Sequence, residues 1–240
     1  MDYIDALAKI GAGSAHPGGF STTLKQLRSY PLPPNSRILE IGCGTGKTAC
    51  YLAAQGHRVS AIDIHERMIE KAMQRASNDQ VTVDFAVGNA DRLPYEDGRF
   101  DVVMAESVLN FTDVRSSIAE CYRVLGDGGV LYARELLASP ELSDTAAQEI
   151  GAFFGLKQIS SADQWLETLR QKGYSHAELL EYEKLQLAPS VEEAEYNDMF
   201  KYQDSDTLMD LSVWQTLLRH DDLLHDHAQA LYNGLIRAVR

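Results

Sequence analysis

The sequence predicts an α/β fold with a doubly wound, mainly parallel sheet, helices at the N-terminus and a helical C-terminal cap. Residues 37–48 read RILEIGCGTGKT, a strand of the buried type that runs directly into a glycine-rich loop. After this loop, short apolar runs alternate with segments whose apolar residues recur at helical spacing. Strands separated by helices of that length form right-handed βαβ units, so the loops after their carboxyl ends meet at one edge of the sheet.

The residues before the first strand, 1–34, are predicted to form a helical cap. Helices are expected at 2–10 and 22–30, and the prolines at 31, 33 and 34 then break the chain. The segment HPGGF between the two helices, at residues 16–20, suits a loop that approaches a ligand. It equally suits a plain connector in which Ser21 is the N-cap of the second helix, and the sequence leaves both interpretations open.

The central part of the chain, residues 35–137, is predicted to hold most of the sheet. After the first strand, β-type runs cover residues 58–64, 81–87, 100–105 and 129–136. Apolar residues at helical spacing predict an amphipathic helix after Asp63 and another after the fourth strand. The apolar positions are Met68, Ile69, Ala72, Met73 and Ala76 in the first helix and Val114, Ile118, Cys121, Tyr122 and Leu125 in the second.

The last part, residues 138–240, is predicted to complete the sheet and to add a helical lid, within a single domain that spans the chain. Helices are expected at 141–154 and 161–172, a strand at 176–187, and mostly helix from residue 191 onwards. A final antiparallel strand stays open, because its candidate, Gly234–Arg240, has an apolar spacing that fits a helix better. Residues that suit either an apolar substrate pocket or the plain core are Met199, Phe200, Tyr202, Met209 and Trp214.

The spacing within the glycine loop limits its ligand. A phosphate-binding P-loop is excluded, because Gly42 is followed by three residues rather than four before the Gly-Lys-Thr at 46–48. A dinucleotide fingerprint needs glycine where Lys47 stands, but its acidic residue about 20 positions on is present as Asp63, so an NAD(P)-dependent oxidoreductase remains the alternative. Glu40 would pair with an ammonium group and repel a pyrophosphate. The loop therefore favours a ligand with a ribose and a cationic amino acid.

With these residues the chain resembles the class I S-adenosylmethionine-dependent methyltransferases, in particular the small-molecule branch of the ubiquinone/menaquinone-biosynthesis type. Five motifs in family order carry the resemblance: Glu40–Gly46 (EIGCGTG), Ala61–Ile64 (AIDI), Gly88–Pro94 (GNADRLP), Phe100–Val103 (FDVV) and Val124–Gly129 (VLGDGG). The resemblance implies a Rossmann-like cofactor-binding core, S-adenosyl-L-methionine as cofactor and S-adenosyl-L-homocysteine as product. A protein that binds this cofactor without transferring methyl is a second alternative.

The resemblance also implies roles for individual residues. It places Glu40 at the methionine ammonium and the backbone of Gly42 and Gly44 at the methionine part. Asp63 is expected on the ribose hydroxyls, and the lesser alternative is that it is only the N-cap of the next helix. Ile64 and Met68 are expected against the adenine, and Asn89 and Ala90 at its polar edge. Asn89 is alternatively a turn former. The last predicted site residue is Glu106, in the pocket after the fourth strand.

A sulfonium methyl is already activated, so catalysis depends chiefly on holding the acceptor in line with it. A general base is needed only for a protonated oxygen or nitrogen acceptor. His16 is the candidate, since imidazole titrates near neutrality and the glycines after it let it approach the pocket. The histidines of HDDLLHDH, residues 220–227, do not share one helical face, which excludes a metal site there. Buried thiols without a metal-ligand spacing are predicted for Cys43, Cys50 and Cys121.

The charge distribution limits the partners. The net charge is −13, and residues 139–240 carry 18 acidic against 8 basic residues. Nucleic-acid binding depends on a basic face, so a small-molecule acceptor is predicted rather than DNA or RNA. The absence of an apolar run of about 18 residues and of a basic leader predicts a cytoplasmic protein without a membrane segment. Whether the protein is a monomer or a homodimer, and which atom receives the methyl group, stay open.

Overall fold

A computed structural model describes residues 1–187 and 201–240 of the chain. The described residues form a seven-stranded sheet. Its strands are β1 (Arg37–Ile41), β2 (Arg58–Asp63), β3 (Asp84–Val87), β4 (Phe100–Glu106), β5 (Leu125–Ala138), β6 (His176–Lys184) and β7 (Leu231–Val239). Their order is β3-β2-β1-β4-β5-β7-β6; β1 to β5 run parallel, and β7 runs antiparallel to β5 and β6. The predicted doubly wound, mainly parallel α/β fold is confirmed.

Helices cover both faces of this sheet. They are α1 (Tyr3–Ile10), α2 (Gly19–Ser29), α3 (Lys47–Ala54), α4 (Glu66–Asn78), α5 (Val114–Val124), α6 (Asp144–Phe154), α7 (Ala162–Lys172) and α8 (Leu211–His227). On one face, Ile118 of α5 and Trp165 of α7 pack against the strands. On the other face, Leu52 of α3 and Ile69 of α4 do the same, together with Leu27 of α2. Parallel strands that are covered on both sides need apolar residues in succession, which is why the strands lack a polar face.

The parallel register brings the ends of three strands to one level. Ile41 of β1 lies opposite Ile62 of β2 and Ala105 of β4. The next residues in the two neighbouring strands, Asp63 and Glu106, therefore lie at the same edge as the glycine loop that follows Ile41. Three of the predicted site elements converge at this edge.

The last strand, β7, corrects one expectation. The preference for a helix near the C-terminus was wrong, because Leu231–Val239 lies between β5 and β6 as a strand. Consecutive residues of β7 are buried on opposite faces of the sheet: Leu235 packs in the cluster beneath α3, and Ile236 packs in the cluster beneath α5. A strand that is covered on both faces shows no alternation, so its apolar spacing does not distinguish it from a helix.

The N-terminal helices also differ in detail from the prediction. Helix α2 begins at Gly19, three residues before the expected start, and Gly18 precedes it as N-cap with a φ of 78°. Ser21 lies inside the first turn and donates its hydroxyl hydrogen to the carbonyl oxygen of Gly18. The interpretation of Ser21 as N-cap was therefore wrong, and the HPGGF segment leads directly into α2.

A further group of helices forms a cap outside the sheet layers. Tyr3 of α1 packs with Ile150 and Phe154 of α6 and with Leu223 of α8. Val213 of α8 extends this contact to the end of α1. The predicted helical tail is thus present as α8, whereas residues 188–200 lie outside the described part of the chain. Among the described helices, none has the length and apolar character needed to cross a membrane.

Candidate active site

The loop after β1 turns sharply and is held against β2. Gly42, Gly44 and Gly46 have φ angles of 69°, 52° and 75°, which favour glycine. The N–H groups of Gly42 and Cys43 both donate to the carbonyl oxygen of Ile62, at 2.7 and 2.9 Å. A Cβ atom at position 42 would lie 2.2 Å from the side chain of Val108, so any larger residue there would displace the loop that follows β4. The glycines therefore fix a backbone that a ligand can approach closely.

Glu40 is buried directly before this loop. Its Oε2 atom has no hydrogen-bond partner among the described residues. Burial raises the pKa of Glu40 well above its usual value, and the carboxylates of Glu106 and Asp63 raise it further. A buried carboxyl oxygen without a partner costs free energy, and a cationic group placed beside it would remove that cost. The predicted partner of Glu40, an ammonium group, fits this environment.

Asp63, at the end of β2, holds the glycine loop in place. Its Oδ2 accepts the N–H of Gly44 and its Oδ1 accepts the N–H of His65, both at 2.9 Å. Burial raises the pKa of Asp63, and the two N–H groups act in the opposite direction. The N-cap of α4 is His65, so the interpretation of Asp63 as the helix N-cap was wrong. Each carboxylate oxygen keeps a lone pair, which leaves Asp63 able to accept hydroxyl groups of a ligand as well.

The residues predicted around the adenine follow β2 and β3. Ile64 is 69% exposed, whereas Met68 and Ala90 are buried. The side chain of Asn89 accepts the N–H of Asp91 at 2.9 Å and so forms the turn that was its alternative interpretation. The turn leaves the second side-chain group of Asn89, the amide N–H₂, available to a ligand.

A polar cluster links the N-terminal cap to the end of β4. Glu106 accepts the hydroxyl of Thr23 at 2.6 Å on Oε1 and the hydroxyl of Thr48 at 3.1 Å on Oε2. His16 is buried beside them, with its Nε2 atom 3.3 Å from the Thr23 hydroxyl and 3.7 Å from Glu106 Oε1. The structure thus brings the predicted residues His16 and Glu106 together, and Glu106 connects α2 to α3.

The cap also contacts the glycine loop through backbone groups. The hydroxyl of Thr45 donates to the carbonyl oxygen of Ala12 at 3.3 Å. Arg75, buried in α4, donates its Nε hydrogen to the carbonyl oxygen of Thr45 at 2.8 Å and stacks its guanidinium over the ring of Tyr202. Lys71, one turn earlier, donates to the carbonyl oxygen of Ala8 and pairs with Asp204 at 2.9 Å. Two basic side chains of α4 therefore hold the cap over the loop.

The predicted pocket lining in the tail is only partly present. Met199 and Phe200 lie outside the described residues. Tyr202 is buried under the cap, but Met209 is 87% exposed and does not line a pocket. Trp214 donates its indole N–H to the carbonyl oxygen of Leu208 on the outer side of α8.

Several functional residues were missed from the sequence. Thr23 and Thr48 look like ordinary helical residues, yet both are buried and bind Glu106. Lys71 and Arg75 look like solvated charges, yet both are buried beneath the cap. The available signal was spacing: Lys71 and Arg75 are four residues apart, adjacent to the apolar stripe of α4, where a solvated charge is not expected.

Neither metal binding nor disulfide chemistry is indicated within the described residues. No group of three His, Cys, Asp or Glu there is placed to hold a metal ion. The three cysteines are free and buried. His220 stacks on the ring of Tyr3, and its Nδ1 lies 2.8 Å from Asp221 Oδ1.

Comparison with known proteins identifies the chemistry. Residues 39–133 match a family model described as a methyltransferase domain. A protein of Bacillus subtilis (strain 168) named uncharacterized methyltransferase YodH is 28% identical over 240 residues, which is 99% of both chains. These matches support a class I S-adenosylmethionine-dependent methyltransferase. The matched region contains the end of β1, all of β2 to β4 and most of β5.

Other relatives cover less of their own length. The 27-O-demethylrifamycin SV methyltransferase of Amycolatopsis mediterranei is 36% identical over 152 residues, 60% of this methyltransferase and 55% of the relative. Among solved structures, the phosphoethanolamine N-methyltransferase 2 of Haemonchus contortus has a TM-score of 0.77 at 22% identity, over 99% of this chain and 56% of that one. The [4+2]-cyclase SpnF has a TM-score of 0.72 at 21% identity, over 99% and 91%. These two likenesses concern the fold, which hosts more than one reaction.

Proposed function

We propose that this methyltransferase binds S-adenosylmethionine at the shared carboxyl edge of β1, β2 and β4 and transfers its methyl group to a small-molecule acceptor. The observation that carries the proposal is the buried, unpartnered Oε2 of Glu40 beside the half-buried glycine loop at Gly42 and Gly44. When bound, this cofactor supplies a methyl group already activated as a sulfonium. The residues of the chain then need to bind, orient and exclude water.

The proposed binding roles follow from the environment of each residue. Glu40 pairs with the ammonium group, because a cation satisfies its unpartnered oxygen. Asp63 accepts the ribose hydroxyls while it continues to hold Gly44. The proposed adenine contacts are the exposed side chain of Ile64, the buried side chains of Met68 and Ala90, and the amide of Asn89.

A dinucleotide fits this edge less well. Its pyrophosphate would lie against the glycine loop, where Glu40, Asp63 and Glu106 already contribute carboxylates. Ionised carboxylates in a buried site repel an anionic pyrophosphate strongly. The alternative of an NAD(P)-dependent oxidoreductase is therefore disfavoured by the same carboxylates that suit a cationic amino acid.

A thermal-shift and calorimetry series tests the proposal. The full chain is titrated in parallel with S-adenosylmethionine, S-adenosylhomocysteine and NAD. We expect both sulfur ligands to bind and to raise the melting temperature, and NAD to have no effect. Stabilisation by NAD alone would contradict the proposal. Binding without methyl transfer to any acceptor would favour the non-catalytic alternative.

His16 is proposed as the general base for an acceptor with a protonated oxygen or nitrogen. Its Nε2 lies beside the Thr23 hydroxyl and the Glu106 carboxylate, in the polar cluster at the end of β4. His16→Ala should leave the affinity for S-adenosylhomocysteine nearly unchanged and lower turnover by about 10²–10⁴-fold. Normal turnover of the folded variant would restrict His16 to a structural role.

The acceptor is proposed to be a small, soluble molecule. Relatives are named for a rifamycin, for a malonyl group on acyl-carrier protein and for phosphoethanolamine, so both oxygen and nitrogen acceptors occur among them. The acidic excess of residues 139–240 supports an acceptor other than a nucleic acid. Membership of the ubiquinone/menaquinone-biosynthesis branch, a cytoplasmic location and a monomer or homodimer remain part of the proposal.

Radiolabelled cofactor distinguishes the acceptor classes. The protein is incubated with methyl-labelled S-adenosylmethionine and either the small-molecule filtrate of a cell extract or its protein and nucleic-acid fraction. We expect label to enter the small-molecule fraction. Transfer restricted to macromolecules would contradict the proposed acceptor class while leaving the cofactor assignment intact.

A further inference from the structure

Glu135, in β5, is a fully buried carboxylate outside the proposed contacts with cofactor and acceptor. Its Oε1 accepts the N–H groups of Val108 at 3.1 Å and Leu109 at 2.8 Å, and its Oε2 accepts the N–H of Asn110 at 3.4 Å. Burial raises the pKa of Glu135 to about 7, although the three N–H groups act in the opposite direction. Burial of a carboxyl group costs free energy, and its hydrogen bonds with this loop offset part of that cost.

The loop that Glu135 holds follows β4 directly and is strained. Ser107 has a φ of 57°, a conformation that is unusual for a residue other than glycine. Its N–H donates to the carbonyl oxygen of Arg134 at 2.6 Å, and the amide of Asn110 donates to the carbonyl oxygen of Leu136 at 2.8 Å. Three consecutive residues of β5 therefore hold the loop in a conformation that it would not adopt alone.

The same loop is in contact with the glycine loop. The side chain of Val108 occupies the space where Gly42 has no Cβ, since a Cβ at Gly42 would lie 2.2 Å from Val108 Cγ2. Val108 is also the first residue whose N–H binds Glu135. A shift of the loop after β4 would therefore either press on Gly42 or leave a gap beside it.

We propose that Glu135 is a positioning residue, which fixes Val108 against Gly42 and thereby sets the affinity of the cofactor site. This inference rests on the proposed binding of S-adenosylmethionine at the glycine loop. It assigns to Glu135 no contact with the cofactor. The carboxylate acts through the backbone of residues 108–110.

The substitution Glu135→Gln tests the proposal in the full chain. Glutamine keeps the size of the side chain but replaces one accepting oxygen by an N–H₂ group, which cannot accept the loop N–H groups. We expect the affinity for S-adenosylhomocysteine, measured by calorimetry, to fall by at least about tenfold. Amide exchange should become faster at residues 108–110 and at residues 42–46.

Asp101→Asn is the matched control. Asp101 lies near the opposite end of β4 and accepts the N–H of Arg37 at 2.8 Å, so the variant makes the same carboxylate-to-amide change away from the loop. We expect it to leave the affinity for S-adenosylhomocysteine within about twofold of the wild type. A Glu135→Gln protein that is folded and also within this limit would overturn the proposal. In that case Glu135, like Asp101, would contribute to stability but not to the affinity of the cofactor site.

Val108→Ala keeps the proposal testable if Glu135→Gln does not fold. This variant leaves the hydrogen bonds of Glu135 intact and removes the methyl groups that contact Gly42. We expect the affinity for S-adenosylhomocysteine to fall by at least about threefold, and an unchanged affinity would contradict the proposal. Failure of the wild-type protein to bind S-adenosylhomocysteine would instead contradict the proposed function.

Discussion

Glu40 is held in an environment that favours its neutral form until a cation arrives. It is buried, and the acidic groups around it are Glu106 from β4, Asp63 from β2 and the thiol of Cys43. His16 lies beyond Glu106 in the same cluster. Because burial and these carboxylates raise the pKa of Glu40, an ammonium ligand would bind most tightly to a form that the empty site disfavours.

This environment predicts a pH-dependent affinity for S-adenosylhomocysteine. Below the raised pKa of Glu40, binding must release its proton, so affinity should rise with pH above the ordinary range of a glutamate and level off once Glu40 is ionised in the empty site. Glu40→Gln should bind more weakly and lose most of this dependence, since its amide does not titrate. Calorimetry in two buffers of different ionisation enthalpy measures the released proton. An affinity that is independent of pH, with no proton released by the wild type, would contradict the pairing.

Asp63 is predicted to contribute to cofactor affinity in two ways, by accepting the ribose hydroxyls and by holding the N–H of Gly44, and the two can be measured separately. Asp63→Ala should lower the affinity for S-adenosylhomocysteine by at least about tenfold, because charge-assisted hydrogen bonds are lost. Some of that loss would come from releasing the N–H of Gly44. An analogue of S-adenosylhomocysteine without ribose hydroxyls should bind more weakly to the wild type but lose little further affinity in the variant. Equal losses from the analogue in both proteins would mean that Asp63 serves the loop alone.

At the scale of elements, α4 connects the sheet to the cap. Lys71 donates to the last carbonyl oxygens of α1, at Ala8 and Lys9, where a cation is favoured by the helix dipole. Its second partner, Asp204, also donates its N–H to the carbonyl oxygen of Lys9 in α1. The hydroxyl of Thr45 donates to the carbonyl oxygen of Ala12, directly after α1. The contacts of Lys71 with α1 therefore determine how the cap covers the glycine loop.

Lys71→Met is predicted to loosen the cap. Arg67 also pairs with Asp204, so the loss of stability should be about 1–3 kcal/mol, smaller than for a buried pair with no second cation. Amide exchange in residues 3–12 should become faster. Arg67→Met is the control, since an exposed ion pair contributes less than about 1 kcal/mol. Identical melting temperatures and exchange in the two variants would contradict the special role of Lys71.

At the scale of the whole molecule, buried carboxyl groups predict how stability depends on pH. The pKa of Glu135 is raised to about 7, so the folded state binds that proton more tightly than the unfolded chain. The contribution of this proton to the free energy of unfolding is fully present below about pH 4.5. About 3 kcal/mol is lost as the pH rises to about 7. Chemical denaturation of the wild type should therefore give a steeper fall of the unfolding free energy over this range than denaturation of Glu135→Gln.

Other titrating groups act equally in both proteins of that comparison. The pKa of His57 is lowered by burial, which works in the opposite sense over part of the same range. Because His57 is common to both, the difference between the two pH profiles isolates Glu135. Parallel profiles would indicate that the carboxylate stays ionised under its three N–H donors throughout.

The parallel core was predictable because its signals are local. Each strand from β1 to β4 contains or directly precedes a motif, and parallel register alone brings Asp63 and Glu106 to the level of the glycine loop. The order of the antiparallel strands was not predictable in this way. Leu235 and Ile236 of β7 pack on opposite faces, so the strand carries no alternation to separate it from a helix.

The site was predictable only where a backbone motif surrounds it. Glu40 and Gly42 belong to the motif of the glycine loop and Asp63 ends the next strand, and all three lie at the same edge of the sheet. Thr23 meets Glu106 across 83 residues, and Lys71 meets Asp204 across 133 residues. Such contacts depend on how the cap packs, and no local spacing reports them.

A crystal structure of the complex with S-adenosylhomocysteine is the decisive experiment for the proposed cofactor site. We expect the ligand to lie along the carboxyl edge of β1 and β2. Its amino group should be within about 3 Å of Glu40 Oε2, and its ribose hydroxyls should be at the same distance from Asp63. A ligand bound elsewhere, or one whose amino group faces solvent while Glu40 remains unpartnered, would show that this cofactor site is wrong.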